Sequence, residues 1–328
     1  MIPRQWYAVL DSGEVTRSRP LGVLRMGEKL VFWRDASGKV VCQKDLCPHR
    51  GAAVSRGKIR DDTIVCPFHG FRYDSTGECQ LVPSIGHNAA PPKVLHLPGY
   101  PVREEYGWIW IFWGESDGNL PPVPYFPNLN SSFTYATFPY RWKTHYSRAI
   151  ENQLDVMHLP FVHYNTIGRG NRTIVDGPLA VLEGDTIRLW VFNRKEDGIP
   201  ARRPGEIPPP EYAPLLYFRF PNVWENNIAP DFKIVAAFVP VDDGNTILYL
   251  RIYQRFIRIP LIRDLINALS LAGSLYIAWQ DKVVVETQRP RRSDLHMGEH
   301  PVPGDGPILL YRRHRRALLD AAGSPETS

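Results

Sequence analysis

The chain is poor in cysteine and has no segment that resembles a targeting signal. Four cysteines in 328 residues are too few for a disulfide scaffold, and free thiols are typical of a cytoplasmic protein. Residues 1–7 lack the basic-then-apolar pattern of a secretion signal. The most apolar long stretch, 265–279, is interrupted by polar residues and is too short for a membrane span. We therefore expect a cytoplasmic protein with no membrane partner.

The chain also lacks a Gly-x-Gly-x-x-Gly fingerprint and any evident flavin motif, so it is not expected to bind its own nicotinamide or flavin. Its net charge of +5 is mild, and charges of both signs are interspersed. No nucleic-acid-binding motif accompanies the basic run at 312–316. We interpret this run as a solvated helix face or tail and expect no nucleic-acid partner. The length is sufficient for about two domains and a sizeable core.

Two pairs of cysteine and histidine are the most informative feature that is present: Cys47-x-His49 and Cys66-x-x-His69. Thiolate and imidazole are ligands for soft or borderline metals. A Rieske [2Fe-2S] cluster needs two cysteines on one iron and two histidines on the other. We therefore predict that Cys47 and Cys66 bind one iron and that His49 and His69 bind the second. Proline and glycine near both tips predict two rigid loops whose amides approach the bridging sulfides.

Zinc is the alternative occupant, because it also binds sets of two cysteines and two histidines. Common zinc patterns pair Cys with Cys and His with His, whereas here the two types alternate, which favours the cluster. Cys42 and Cys79 remain, and we expect them to be free buried thiols. Some respiratory Rieske proteins carry a disulfide between the cluster loops. The equivalent positions here look like Ala52 and Phe68, so that bond is not expected.

Short strands rich in β-branched and aromatic residues fill the first 118 residues, and turn formers bound them. They are predicted at 30–33, 40–42, 63–65, 71–73 and 108–113. Four prolines within 118–127 indicate a semi-rigid linker, which we place at 119–133. The sequence therefore predicts an all-β domain at 1–118 and a second domain at 134–328.

The second domain is predicted to combine an antiparallel sheet with a long helix at about 261–287, so the fold class is α+β. A helical stretch is expected near 145–158. Strands are predicted at 134–140, 186–192, 215–220, 234–239 and 247–253, with a hairpin turn at 242–245. A curved sheet wrapped on the helix would leave a cavity, and proline-rich 196–214 would form a mobile loop over it.

A second set of candidate metal ligands follows the first predicted strand of this domain. Asp155 and His158 are three residues apart and would share a helix face. His163 would point about 140° away from His158 in a regular helix. We expect Pro160 to break the helix and let His163 turn back. The alternative is that both histidines are ordinary capping or core residues.

Two imidazoles need a carboxylate to complete a facial triad, which leaves open positions on Fe(II) for substrate and O₂. Four acids are plausible from the sequence: Glu151, Asp155, Asp281 and Glu286. We choose Asp281, because a facial triad suits a ligand from a separate element.

Together these residues resemble the α subunits of Rieske non-haem iron oxygenases. The resemblance covers nearly the whole chain in order: the cluster loops, the signature Asn152-x-x-Asp155-x-x-His158-x₄-His163, and Asp281. It implies a Rieske β domain joined to a helix-grip (START-like) domain. It also implies a mononuclear Fe(II) bound by His158, His163 and Asp281.

The same resemblance implies catalytic roles for two further residues. Asp155 would be a bridging carboxylate that accepts hydrogen bonds from His158 and from His69 of a neighbouring subunit in a head-to-tail homotrimer. A ring of this kind is a heterologous interface that closes. Asn152 matches a family position near the iron.

Among these enzymes the compact chain looks most like the α-only monooxygenases, and dioxygenation is less expected. The resemblance implies a terminal oxygenase component that takes electrons from a separate reductase or ferredoxin. With O₂ it would hydroxylate, or O- or N-demethylate, a largely hydrophobic small molecule such as an aromatic compound. The alternative is a non-catalytic Rieske electron-transfer or sensor protein with a helix-grip ligand-binding domain.

Two groups of residues would contact these partners. Basic side chains around the cluster loops would attract an acidic electron donor: Arg50, Arg56, Lys58, Arg60 and Arg72. Residues that follow the iron ligands, or precede Asp281 by about one turn, would line the substrate pocket: Phe161, Tyr164, Asn165, Ile167 and Tyr276.

Overall fold

The computed structural model describes residues 1–116, 118–208 and 210–323. The chain forms two compact units. One comprises Arg4–Val123, and the other comprises Met1–Pro3 with the described residues from Pro124 onward. The boundary between them falls within the predicted linker at 119–133.

The N-terminal unit consists of short antiparallel strands in three sheets, ordered β1–β11–β10, β2–β3–β4–β9 and β5–β6–β7–β8. The strands are β1 (Gln5–Asp11), β2 (Leu21–Arg25), β3 (Glu28–Arg34), β4 (Val40–Lys44), β5 (Lys58–Arg60), β6 (Thr63–Val65), β7 (Arg72–Tyr73), β8 (Cys79–Leu81), β9 (Gly99–Tyr100), β10 (Val102–Glu105) and β11 (Trp108–Trp113). Strand β11 lies between β1 and β10 and is buried from Trp108 to Phe112, because its aromatic and β-branched side chains fill both faces. The predicted all-β domain is confirmed.

The C-terminal unit is built on a seven-stranded antiparallel sheet of order β12–β18–β17–β16–β15–β14–β13. Its strands are β12 (Thr134–Trp142), β13 (Ile174–Glu183), β14 (Thr186–Arg194), β15 (Leu216–Arg219), β16 (Val223–Ala229), β17 (Phe232–Asp242) and β18 (Asn245–Gln254). Its helices are α1 (Tyr146–Leu154), α2 (Leu159–Val162), α3 (Pro260–Val285) and α4 (Gly306–Ala321). Helix α3 packs on β12 and β18, and α4 packs on β13 and β14. The predicted sheet with a long helix is confirmed.

Helix α3 is longer than the apolar stretch that suggested it. By length and composition alone it could cross a membrane, and only 11% of its most apolar window is buried. The stretch 265–279 is itself short, but apolar residues on both sides of it extend the helix to 26 residues, so length alone does not exclude a span. Its C-terminal turns, however, contain the buried residues Ala278, Gln280, Asp281 and Val285.

The basic run at 312–316 lies on α4 and is not a wholly solvated face. Arg312 and Arg315 are buried. The guanidinium of Arg312 donates to Glu151 (2.7 and 3.0 Å) and to Glu299 (2.7 Å). Arg148 pairs with the same two carboxylates, at 3.2 and 2.7 Å. The four side chains form a compact, charge-balanced network that ties α4 to α1.

The loop at 196–214, apart from Pro209 outside the described residues, is attached to the sheet at its start. The buried carboxylate of Asp176 on β13 accepts hydrogen bonds from Arg194 and Arg202, each with a contact of 3.1 Å. These bonds hold the pKa of Asp176 below its usual value, although burial opposes them. The mobility of the loop stays a prediction.

We expect Arg312→Leu to lower the free energy of unfolding by about 3 kcal/mol, the lower end of the range for breaking a buried ion pair, because Arg148 still faces Glu151. Arg316→Leu on the same helix is the matched control. Its partner Asp320 is exposed, so the change should cost less than about 1 kcal/mol. Chemical denaturation measures both, and equal losses would contradict a stabilising role for the network.

Candidate functional site

The two predicted cluster loops have the same backbone hydrogen bonds. In the first loop, the Cys47 amide donates to the Ala52 carbonyl (2.8 Å) and the Gly51 amide donates to the Cys47 carbonyl (2.8 Å). The second loop repeats this pattern, from Cys66 to Phe71 (2.8 Å) and from Gly70 to Cys66 (3.1 Å). Gly51 and Gly70 have φ of 72° and 74°, a conformation that favours glycine. Repeated turn geometry therefore accounts for the similar flanks of the two Cys/His pairs.

The four candidate ligands of the cluster differ in how deeply their side chains are buried. The thiols of Cys47 and Cys66 are buried, whereas His49 and His69 are exposed with ring centroids 4.8 Å apart. Burial raises the pKa of the Cys66 thiol, and the neighbouring Cys47 adds to this effect. Two adjacent buried thiols beneath two adjacent imidazoles fit the ligand set of a Rieske cluster, with the histidine-bound iron nearer the surface. The assignment of each ligand stays a prediction.

Tyr73 is a further residue of this site that the sequence did not reveal. Its buried hydroxyl lies 3.3 Å from Cys47 Sγ. Burial raises the pKa of Tyr73 well above its ordinary value, and the neighbouring cysteines add to the increase. The hydroxyl therefore keeps its proton at neutral pH and can donate to a thiolate at position 47.

The second candidate centre brings together His158, His163 and Asp281. One donor atom from each lies within 4.8 Å of the other two. Asp281 Oδ1 is 2.9 Å from His163 Nε2 and 3.3 Å from His158 Nε2. His163 and Asp281 are buried, and His158 is partly exposed. The structure thus collects the three side chains that were singled out, from two elements far apart in sequence.

The local backbone around the histidines differs from the prediction. Helix α1 ends at Leu154 and Asp155 is extended (φ −80°, ψ 132°), so Asp155 and His158 do not share a helix face. Pro160 does not break a helix either. It lies in the first turn of α2, where a missing amide hydrogen has no cost. His158 and His163 cap the two ends of this short helix, which turns both imidazoles toward Asp281.

Neighbouring charges shift the pKa values of the candidate ligands at this centre. Burial alone would raise the pKa of Asp281, but the two imidazoles outweigh it and lower the pKa to about 2. Burial would lower the pKa of His158, yet Asp155 and Asp281 raise it to about 9. Among the described residues, Asp281 Oδ1 is buried without a partner in hydrogen-bond geometry. One ionised carboxylate and two imidazoles around one point are a donor set that fits a divalent metal, which would displace the proton from His158 on binding. Iron binding by these residues stays a prediction.

The other acids that were considered have different partners. Glu151 belongs to the arginine network of α1 and α4, and Glu286 accepts a hydrogen bond from the Lys143 amide (2.6 Å). Asp155 Oδ2 lies 3.4 Å from His158 Nδ1, on the side of the ring away from Asp281. Asp155 is therefore placed beside a candidate ligand rather than among the three donors.

Asn152 and Asp155 line a cleft of about 260 Å³ in the C-terminal unit. The Asn152 Nδ2 atom is buried and has no hydrogen-bond partner in the described part of the chain. The predicted pocket residues are less enclosed. Phe161, Tyr164 and Ile167 are largely exposed, so their place in a substrate pocket stays a prediction.

The basic residues near the cluster loops line a separate cleft. Its volume is about 570 Å³, and it borders the Cys66 loop. Four of the five residues identified from the sequence contribute to it: Arg56, Lys58, Arg60 and Arg72. Arg50 lies instead over the ring of Phe68, at 5.6 Å.

Comparison with known proteins gives two family matches in the same order as the two units. Residues 5–101 match the Rieske [2Fe-2S] domain family. Residues 142–210 match the vanillate O-demethylase oxygenase C-terminal domain family. The second match contains His158 and His163, whereas Asp281 lies outside it.

Curated relatives agree with these matches. The vanillate O-demethylase oxygenase subunit of Pseudomonas sp. (strain HR199 / DSM 7063) is 31% identical over 191 residues, covering 57% of this chain and 52% of the relative. The chain thus spans about half the length of this relative. Methylxanthine N1-demethylase NdmA of Pseudomonas putida is 27% identical over 327 residues, covering 96% of this chain and 89% of the relative.

Solved structures support the fold over the whole length. NdmA of Pseudomonas putida CBB5 with caffeine has a TM-score of 0.76 at 24% identity, covering 98% of this chain and 92% of that chain. Dicamba monooxygenase bound to dicamba has a TM-score of 0.74 at 20% identity, covering 98% and 99%.

The Tyr73 hydroxyl generates a prediction for the cluster. A donor to a cysteine sulfur stabilises the more negative reduced state, so Tyr73→Phe should lower the reduction potential by roughly tens of millivolts. Tyr100→Phe is the control, because Tyr100 lies in the same unit and donates to Glu28 (2.6 Å). Protein-film voltammetry measures both variants. A potential unchanged in Tyr73→Phe would show that this hydroxyl does not act on the cluster.

Proposed function

We propose that the chain is a Rieske oxygenase α subunit and the terminal component of a monooxygenase. It uses O₂ and electrons from a separate reductase or ferredoxin to hydroxylate, or O- or N-demethylate, a largely hydrophobic small molecule. The observation that carries the proposal is the convergence of His158, His163 and Asp281 in a chain that also has a Rieske domain. Two relatives are a vanillate O-demethylase oxygenase subunit and a methylxanthine N1-demethylase, and this similarity favours demethylation.

Each centre has a distinct role. Cys47, Cys66, His49 and His69 would hold the [2Fe-2S] cluster, and His158, His163 and Asp281 would hold a mononuclear Fe(II). The cluster supplies single electrons and the Fe(II) supplies O₂ activation when bound. The protein contributes the open side of the facial triad, where a substrate carbon can be placed beside the metal.

Asp155 connects the two sets of ligands in this proposal. Its Oδ2 lies 3.4 Å from His158 Nδ1, and the partly exposed carboxylate remains accessible to a second donor. That donor would be His69 of the partner subunit in a head-to-tail homotrimer. The exposure of His49 and His69 on their own unit supports such a contact, since both imidazole edges can reach a neighbour.

The electron donor would be an acidic protein that docks beside the Cys66 loop. The four basic residues of the 570 Å³ cleft carry the charge that attracts it. We also propose a cytoplasmic location without a membrane partner. None of the four cysteines forms a disulfide, which supports this location. The position of Asp281 within α3 supports it too, because a membrane span would have to bury that carboxylate in lipid.

Metal analysis decides between the oxygenase and the non-catalytic alternative. The oxygenase predicts three irons per chain after anaerobic loading, and a Rieske electron-transfer or sensor protein predicts two. His158→Ala should return the count to two and abolish substrate-dependent O₂ uptake, because one of three ligands is lost. The visible spectrum of the cluster should not change and serves as the internal control. Three irons retained in His158→Ala would contradict the ligand assignment.

The bridging role of Asp155 has its own test. Asp155→Asn should keep both metal centres and slow cluster reoxidation in a single turnover by roughly 10–100-fold, since an amide cannot accept the same pair of hydrogen bonds as a carboxylate. Stopped-flow absorbance measures this rate. Asp264→Asn, an exposed carboxylate on α3, is the control. Normal reoxidation in Asp155→Asn would exclude the bridge.

A further inference from the structure

Gln280 is a buried amide that immediately precedes Asp281 on helix α3. Its Oε1 atom lies 3.1 Å from His163 Nδ1 and 3.0 Å from Thr166 Oγ1. Its Nε2 atom donates to Asn165 Oδ1 at 2.8 Å. Adjacent residues of one helix therefore contact opposite edges of the same imidazole: Asp281 at Nε2 and Gln280 at Nδ1.

The chemistry of the amide determines which nitrogen of His163 carries the proton. A carbonyl oxygen only accepts hydrogen bonds, so His163 must donate from Nδ1 to Gln280 Oε1. A neutral imidazole has one N–H, which leaves the Nε2 lone pair directed at the point shared with His158 and Asp281. This is the tautomer that a metal ligand at Nε2 requires.

Asn165 keeps the amide of Gln280 in this orientation. If the side-chain amide of Gln280 rotated by half a turn, its oxygen would face Asn165 Oδ1, which is also an acceptor, and that hydrogen bond would be lost. Its NH₂ group would then face His163 Nδ1. Asn165 Nδ2 in turn donates weakly to the Tyr276 hydroxyl (3.4 Å). A short chain of side chains therefore runs from the exposed Tyr276 ring to the buried His163.

We propose that Gln280 is a positioning residue of the mononuclear metal site, which fixes the tautomer and ring orientation of His163. Asn165 locks the direction of its amide. The inference rests on the proposed function, because it assumes that His163 binds a metal through Nε2. It makes Gln280 a neutral counterpart of the carboxylates that often orient metal-bound histidines.

Metal affinity tests the inference without turnover. The protein is prepared with its cluster intact and its mononuclear site stripped by a mild chelator, and Co²⁺ is titrated anaerobically. Gln280→Leu should weaken Co²⁺ binding by roughly 10–100-fold, since His163 loses the acceptor that selects its tautomer. Thr166→Val is the matched control, because it removes the other hydrogen bond to the same oxygen and should change the affinity by less than about threefold.

Gln280→Glu separates positioning from simple packing. The carboxylate has the same length and still accepts from His163 Nδ1, so Co²⁺ binding should return to the wild-type level or become tighter. A more basic imidazole should also alter the rhombicity of the EPR signal of the ferrous–nitric oxide complex. A purely structural role would leave this signal unchanged.

The outcomes separate the two proposals. Wild-type protein that binds no Co²⁺ at this site would overturn the proposed function and this inference with it. If the wild type and Gln280→Leu both bind Co²⁺ and do so with equal affinity, this inference is overturned and the proposed function is not. If Gln280→Leu does not fold, Gln280→Glu decides: a signal identical to that of the wild type would overturn the inference, and a shifted signal with retained affinity supports it.

Discussion

The rest of the structure depends on one constraint: three donor atoms from two distant parts of the chain must meet within a few ångströms. His158 and His163 lie at the ends of a four-residue helix, and Asp281 arrives more than a hundred residues later on α3. Their meeting requires α3 to lie across β12 and β18 at one rotation about its own axis. A change of one residue in the position of Asp281 would turn its carboxylate about 100° away from the imidazoles.

Several contacts outside the triad maintain that arrangement. The network of Glu151, Arg148, Arg312 and Glu299 holds α1, whose end leads directly into the segment with Asp155 and His158. Helix α4 thus supports the centre although it lies beyond every candidate ligand in sequence. Gln280 holds the other imidazole. Because each buried charge in the network has an opposite partner, the supporting structure remains stable around a site that is itself rich in unsatisfied polar atoms.

Much of this architecture could be predicted because its signals are local. The aromatic strand at 108–113, the hairpin at 242–245 and the alternation of Cys and His each depend on a few neighbouring residues. The details of the second centre are not local. Spacing alone suggested that Asp155 and His158 share a helix face and that Pro160 breaks a helix, whereas α1 ends earlier and Pro160 lies in a new helix. Other features depend on partners that are far away in sequence, so no local motif predicts them. They include the burial of Arg312 and Arg315 and the contacts of Tyr73 and Gln280.

The mononuclear metal would lie among three residues from two distant parts of the chain: His158, His163 and Asp281. The most direct measurement is an anomalous difference map recorded at the iron edge from crystals loaded anaerobically with ferrous salt. We expect one strong peak between His158 Nε2, His163 Nε2 and Asp281, separate from the two-iron peak beside Cys47 and Cys66. A map with only the two-iron peak, and with the imidazoles of His158 and His163 turned apart, would contradict the central claim.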